Sequence, residues 1–207
     1  MNIGNKEKEK FGLYETIEKV YDFIASNPSD QKGKNSIQWI AHYMSILYEH
    51  SKDCDSIVEI GVNQVNSTWA FLNARPKNGV ISIDIDLNRS AYMTQQGLSE
   101  NIWLSWAKHL SEKEEVAFSP VESDSLQAEL PEIDLLFIDS LHTYEHLRAE
   151  LFLHGPKAQK YIILHDTTLY PELVNAVDEF LNAHEQFVIK EQHWDEPGLT
   201  ILKRDDE

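Results

Sequence analysis

A single cysteine among 207 residues, Cys54, rules out an internal disulfide and a thiolate metal site. Cations are scarce too: 18 Lys and Arg stand against 35 Asp and Glu, a formal charge of −17. A surface of that sign repels phosphate backbones and anionic headgroups, so neither nucleic acid nor membrane is an expected partner. Long apolar runs are missing. The longest, such as Leu135 to Ile138, have strand length and fall far short of the roughly 18 residues a membrane span needs. The polar, charged start of the chain lacks the pattern of a signal peptide, and with the lone cysteine it predicts a reducing, cytoplasmic setting. Internal repeats and low-complexity segments are absent.

What is present suffices for one sizeable core, since 42% of residues are hydrophobic and 10% aromatic. Ile17, Val20, Tyr21 and Ile24 fall at helical spacing and predict a helix over Tyr14 to Ala25. Ser36 can cap a second helix carrying Ile37, Ile40, Met44, Leu47 and Tyr48. From Ser56 the texture becomes short apolar runs separated by helical segments, the mark of a parallel sheet buried on both faces. The runs are Ile57–Val62, Val80–Ile85, Val116–Phe118, Leu135–Ile138 and Tyr161–Leu164; helices are expected over Ser67–Ala74, around Ile102–Leu110, and over Tyr144–Leu153 and Pro171–His184. Phe187–Glu191 and Leu199–Lys203, joined through Pro197 and Gly198, predict a closing antiparallel hairpin. The expected fold is therefore α/β: a Rossmann-like, mostly parallel sheet with helices on both faces, N-terminal helices and an antiparallel end.

In such sheets ligands gather at the carboxyl ends of strands, so the polar residues ending these runs are informative. After Glu59, Gly61 permits a tight turn and Ser67 can open a helix facing a ligand. Asp84 ends the second run a little over twenty residues after Gly61, where a carboxylate could accept both hydroxyls of a ribose. Asp124 follows the third run, Asp139 the fourth with His142 close behind, and His165-Asp166 closes the fifth. For Glu59, Asp84 and Asp124 the plain alternative is a cap or turn residue. His142 could pack at a helix start, and His165 could be a satisfied core histidine. His42, His50, His109, His146, His154, His184 and His193 read as surface or packing residues.

Phe137-Ile138-Asp139-Ser140-Leu141-His142-Thr143-Tyr144-Glu145 and Ile163-Leu164-His165-Asp166-Thr167 make the chain from about Ser56 to Lys203 resemble the class I S-adenosylmethionine-dependent methyltransferases. Within that class it is similar to the metal-dependent O-methyltransferase and cephalosporin-hydroxylase-like branch. The resemblance implies a divalent metal (Mg, Mn or Fe) on Asp139, His165 and Asp166, and His142 as base. It also implies a cofactor site in which Glu59 and Gly61 line the methionine end, Asp84 the ribose and Asp124 the adenine, with Ser67 and Asp139 adjoining. Two positions depart from the family pattern. Val65 stands where a further glycine is usual, and His165 where the best-understood members carry a carboxylate.

The expected organisation is a tail and helix over residues 1–35 and a methyltransferase domain over 36–207. The expected reaction is metal-assisted O-methylation of a hydroxyl on a small molecule or sugar; a homo-oligomer is compatible with it. Other readings are a catalytically silent binding module, a metal-dependent hydroxylase, and a metallopeptidase suggested by the H-x-x-E-H pattern His142-Thr143-Tyr144-Glu145-His146. A nicotinamide enzyme is disfavoured because G-x-G-x-x-G is absent.

Overall fold

The computed structural model describes residues 36–89, 94–95 and 101–205. The helix expected over Tyr14 to Ala25 lies outside the described residues. The chain runs α1 (Ser36–Ser51), β1 (Ile57–Ile60), α2 (Asn66–Ala74), β2 (Val80–Asp84), α3 (Ile102–Glu114), β3 (Phe118–Glu122), β4 (Ile133–Ile138), α4 (Tyr144–His154), β5 (Ala158–His165), α5 (Glu172–Ala183), β6 (Phe187–His193) and β7 (Leu199–Arg204).

The seven strands form one sheet in the order β3-β2-β1-β4-β5-β7-β6. The first five are parallel; β7 pairs antiparallel with both β5 and β6. Alternation along the strands divides the core in two. Leu135 and Phe137 of β4 pack with Met44 and Leu47 of α1, Trp69 and Phe71 of α2, and Trp103 and Leu110 of α3. Leu136 and Ile138 face the other way, against Leu147 and Leu151 of α4 and Val177 and Phe180 of α5.

β3 differs from expectation. The predicted run Val116–Phe118 reaches only its first residue: Val116 is buried, while the strand continues from Phe118 to Glu122 and is largely exposed. It is the outer strand, where Pro120 is tolerated. An edge strand needs no apolar run, so hydrophobicity does not mark it. At the other end of the fold, α1 clamps the β6–β7 connection: the Tyr43 hydroxyl donates to the Asp195 carbonyl and accepts from the Gly198 amide at 3.2 Å.

Candidate active site

The strand order reverses between β1 and β4, so the loops leaving these strands diverge and open a crevice at the carboxyl edge of the sheet. A cavity of about 700 Å³ fills it, with Gly61, Asp84, Asp124, Asp139, His146 and Asp166 in its wall. That volume lies within the range of about 300–1,000 Å³ usual for small-molecule sites.

The floor is a close backbone crossing. Gly61 has φ +87°, and a Cβ there would lie 1.9 Å from the Asp139 carbonyl oxygen. Its amide donates to the Ile83 carbonyl and the Asp139 amide to the Ile60 carbonyl, each at 2.8 Å. Only glycine fits. Beyond it, Val65 caps α2 at φ 55°. Its side chain is buried in the core with Val62 and Trp69 and takes no part in the cavity wall, so this departure from glycine leaves the cavity open. The left-handed backbone costs about 1–2 kcal/mol, which burial of the side chain, about 1.5–3 kcal/mol, offsets.

Glu59 lies behind the wall, fully buried, and fastens α2 to the sheet. It accepts from the Ser67 hydroxyl, from Thr68 at 2.6 Å and from Ser82 at 2.5 Å. Burial pushes its carboxyl up to about 7 against the pull of these hydroxyls. Ser67 itself reaches the cavity. Asp84 is in the wall and ties the first loop to the second: it accepts from the Val62 amide at 2.8 Å and the Asp86 amide at 2.9 Å. Asp124 also lines the cavity and stabilises its own turn by accepting from the Leu126 amide at 2.9 Å.

On the β5 side, Asp139, His142, His165 and Asp166 converge. His142 Nε2 lies 2.8 Å from Asp166 Oδ2 and 3.3 Å from Asp139 Oδ1; His165 Nδ1 lies 3.4 Å and 3.2 Å from the same two oxygens. Burial would raise the Asp139 carboxyl, yet the His165 charge and hydrogen bonds from both imidazoles hold it well below the usual range. Asp166 is lowered in the same way, its burial outweighed by hydrogen bonds from His142 and His165. Hydrogen bonds to Asp139 and Asp166 push His142 up to about 9. His165 rises to about 10 although burial opposes it, because the Asp139 charge and hydrogen bond prevail. Asp166 adopts φ 62°, so the backbone is held in an uncommon conformation at this point.

One ligand atom each from Asp139, His142 and Asp166 falls within 4.8 Å of the others, a group able to hold a metal ion. His165 sits behind this group, with its Nε2 buried and unpartnered and its ring edge-on to Tyr43 at 5.6 Å. His142 is partly exposed and stacks on Tyr170 with ring centroids 4.7 Å apart. The H-x-x-E-H pattern does not close on one ion, because His142 precedes α4 and His146 turns to a different carboxylate, Glu150, 3.1 Å away. His146 is part of the cavity wall rather than of the surface or core. Ser125, Ser140 and Glu150 around it carry no motif. The one available signal is Glu150 itself, an acid on the stripe that α4 buries through Leu147 and Leu151.

A family profile described as a methyltransferase domain matches residues 58–167, more than half of the chain. Comparison with curated proteins gives no match. Among solved structures, a ribosomal protein L11 methylase from Lactobacillus delbrueckii subsp. bulgaricus is similar at TM-score 0.57 and 13% identity, over 84% of this chain and 81% of that one. An O-methyltransferase from Bacillus cereus in complex with SAH gives 0.55 and 14%, over 93% and 91%. The O-methyltransferase TomG from Streptomyces achromogenes, involved in tomaymycin synthesis and in complex with SAM, gives 0.53 and 15%, over 92% and 89%. At these identities the likeness is one of fold.

Proposed function

The chain belongs to the methyltransferase domain family, as a class I S-adenosylmethionine-dependent domain, and from that premise we propose that it methylates a hydroxyl of a small molecule or sugar with the help of a divalent ion. The observation that carries this reading is the convergence of Asp139, His142 and Asp166 in the wall of a cavity large enough for the cofactor. The donor set fits a divalent ion: two carboxylates held in place from behind by the His165 Nδ1–H, and an imidazole at the rim. Two carboxylate donors suit Mg or Mn, whereas an imidazole among the ligands would favour Mn or Fe. Such an ion would be held by Asp139 and Asp166 and would supply Lewis acidity that lowers the pKa of an acceptor hydroxyl.

The chain's own residues do the remaining work. Asp84 and the loop after Gly61 would bind the ribose, with Ser123 to Ser125 beyond it; this places the reacting end of the cofactor towards Asp139. His142, the more accessible of the two imidazoles, holds a hydrogen on Nε2 against Asp139 and Asp166, and would be free to take the hydroxyl proton there only once an ion on the two carboxylates had replaced that hydrogen. Tyr170 stacks on that ring and limits its rotation. Positioning of the acceptor oxygen supplies the rest.

Calorimetry with S-adenosylhomocysteine and with Mn²⁺ tests both halves. The reading expects cofactor binding that Asp84→Ala weakens by about tenfold, and Mn²⁺ binding that Asp139→Asn and Asp166→Asn remove. Wild-type protein that gives neither heat nor thermal stabilisation with the cofactor overturns it. A second reading, in which His142 is itself a ligand, is favoured by its place within the 4.8 Å group. Undiminished Mn²⁺ affinity in His142→Ala selects the base; lost affinity selects the ligand.

A further inference from the structure

On the β3 side of the cavity lies a second polar node that the reaction outlined above does not use. Glu150 of α4 is completely buried. It accepts from Ser125 Oγ at 2.6 Å and from Ser140 Oγ at 2.8 and 2.7 Å, and His146 Nε2 lies 3.1 Å from its Oε1. Ser125 Oγ also lies 3.3 Å from His146 Nε2. A buried carboxylate is costly unless donors surround it, and here all three donors come from residues of the cavity wall. Three segments, after β3, after β4 and within α4, are thus tied together at one point.

The node fixes the chemistry of the imidazole. Facing a carboxylate, Nε2 carries a hydrogen; the neutral ring then presents Nδ1 as an acceptor. Nδ1 makes no hydrogen bond among the described residues, although the ring is in the cavity wall. A rigidly held acceptor in the cavity wall beside Ser125, which follows β3, suits a planar group bearing an amino donor. We propose that His146, oriented by Glu150, is the residue that reads the nucleobase of the cofactor, accepting from its exocyclic amino group. This rests on the S-adenosylmethionine reading above. His146 is a contact residue; Glu150 is a positioning residue acting through it and through Ser125 and Ser140.

The test is discrimination between S-adenosylhomocysteine and S-inosylhomocysteine, whose base bears an oxo group in place of the amino group. The wild type should prefer the adenine compound by about tenfold, because one unmatched polar group is at stake. His146→Phe keeps the ring shape without the acceptor and should bring the ratio to within about twofold. His146→Asn, whose amide oxygen can stand near the place of Nδ1, should restore it. Glu150→Gln should lower the ratio while leaving Mn²⁺ affinity unchanged, which a general loss of structure would not do. A wild-type ratio near one, or a ratio unchanged in His146→Phe, overturns the inference while leaving cofactor binding intact. Wild-type protein that binds neither compound overturns the cofactor reading itself and this inference with it.

Discussion

Single side chains in this site have their properties set by what surrounds them, and pH is the means to see it. Burial pushes the carboxyl of Glu59 up from 4.5 to about 7, so its protonated form is favoured by the fold. Stability from that source is complete below pH 4.5 and is lost as pH rises through 7. Glu59→Gln keeps the shape without the charge; its melting temperature relative to wild type should therefore climb between about pH 4.5 and about 7. The imidazoles follow the same sign for a different reason. His142 at about 9 and His165 at about 10, against 6.5, contribute stability that is full below pH 6.5 and lost as pH rises through those values. In EDTA the melting temperature should fall on the alkaline side, and His165→Gln should flatten that fall. Added Mn²⁺ should reduce it as well, because an ion on Asp139 and Asp166 replaces the protons as partner of the carboxylates. An alkaline limb unaffected by His165→Gln would contradict the assignment.

Elements were legible in the sequence where burial is two-sided. β1, β2, β4 and β5 announce themselves as apolar runs because both faces are covered by helices. β3 does not, since an edge strand holding Ser119, Pro120 and Glu122 has little to bury. The same logic divides the site. Asp84, Asp139 and Asp166 could be found because a carboxylate ending an apolar run is conspicuous. The Glu150 node could not be read as a unit: His146 and Glu150 are one helical turn apart, but Ser125 and Ser140 join them only when β3, β4 and α4 are assembled. Backbone requirements were half visible. Gly61→Ala drives a Cβ into the Asp139 carbonyl and should destabilise by more than about 3 kcal/mol in denaturant unfolding. Val65→Gly relieves the left-handed strain and removes buried surface together, so its stability should stay within about 2 kcal/mol of wild type, with homocysteine-product affinity unchanged. A large loss of that affinity would mean that Val65 shapes the cavity after all.

The molecule carries a charge of −17, and at the cavity Asp84, Asp124, Asp139 and Asp166 outnumber the cations Arg89, His142 and His165. A surplus of negative charge in low-dielectric walls favours cationic ligands. S-adenosylmethionine bears one positive charge more than its product, so it should bind more tightly at low ionic strength. The advantage should shrink as salt rises towards 1 M, where screening acts over about 3 Å. Equal salt dependence for the two compounds would show that this field does not reach the ligand. No helix among the described residues is long and apolar enough to cross a membrane.

The position of β7 has a consequence for biosynthesis. It lies between β5 and β6 although it is made after both, so the ribosome delivers the outer strand before the one that must separate it from the sheet. Until residues 199–204 emerge, the edge of β5 that carries His165 has no partner, and β6 has nothing to pair with. A nascent chain stalled just short of β7 therefore exposes two strand edges at once, and is the species in which a chaperone would find the most to hold.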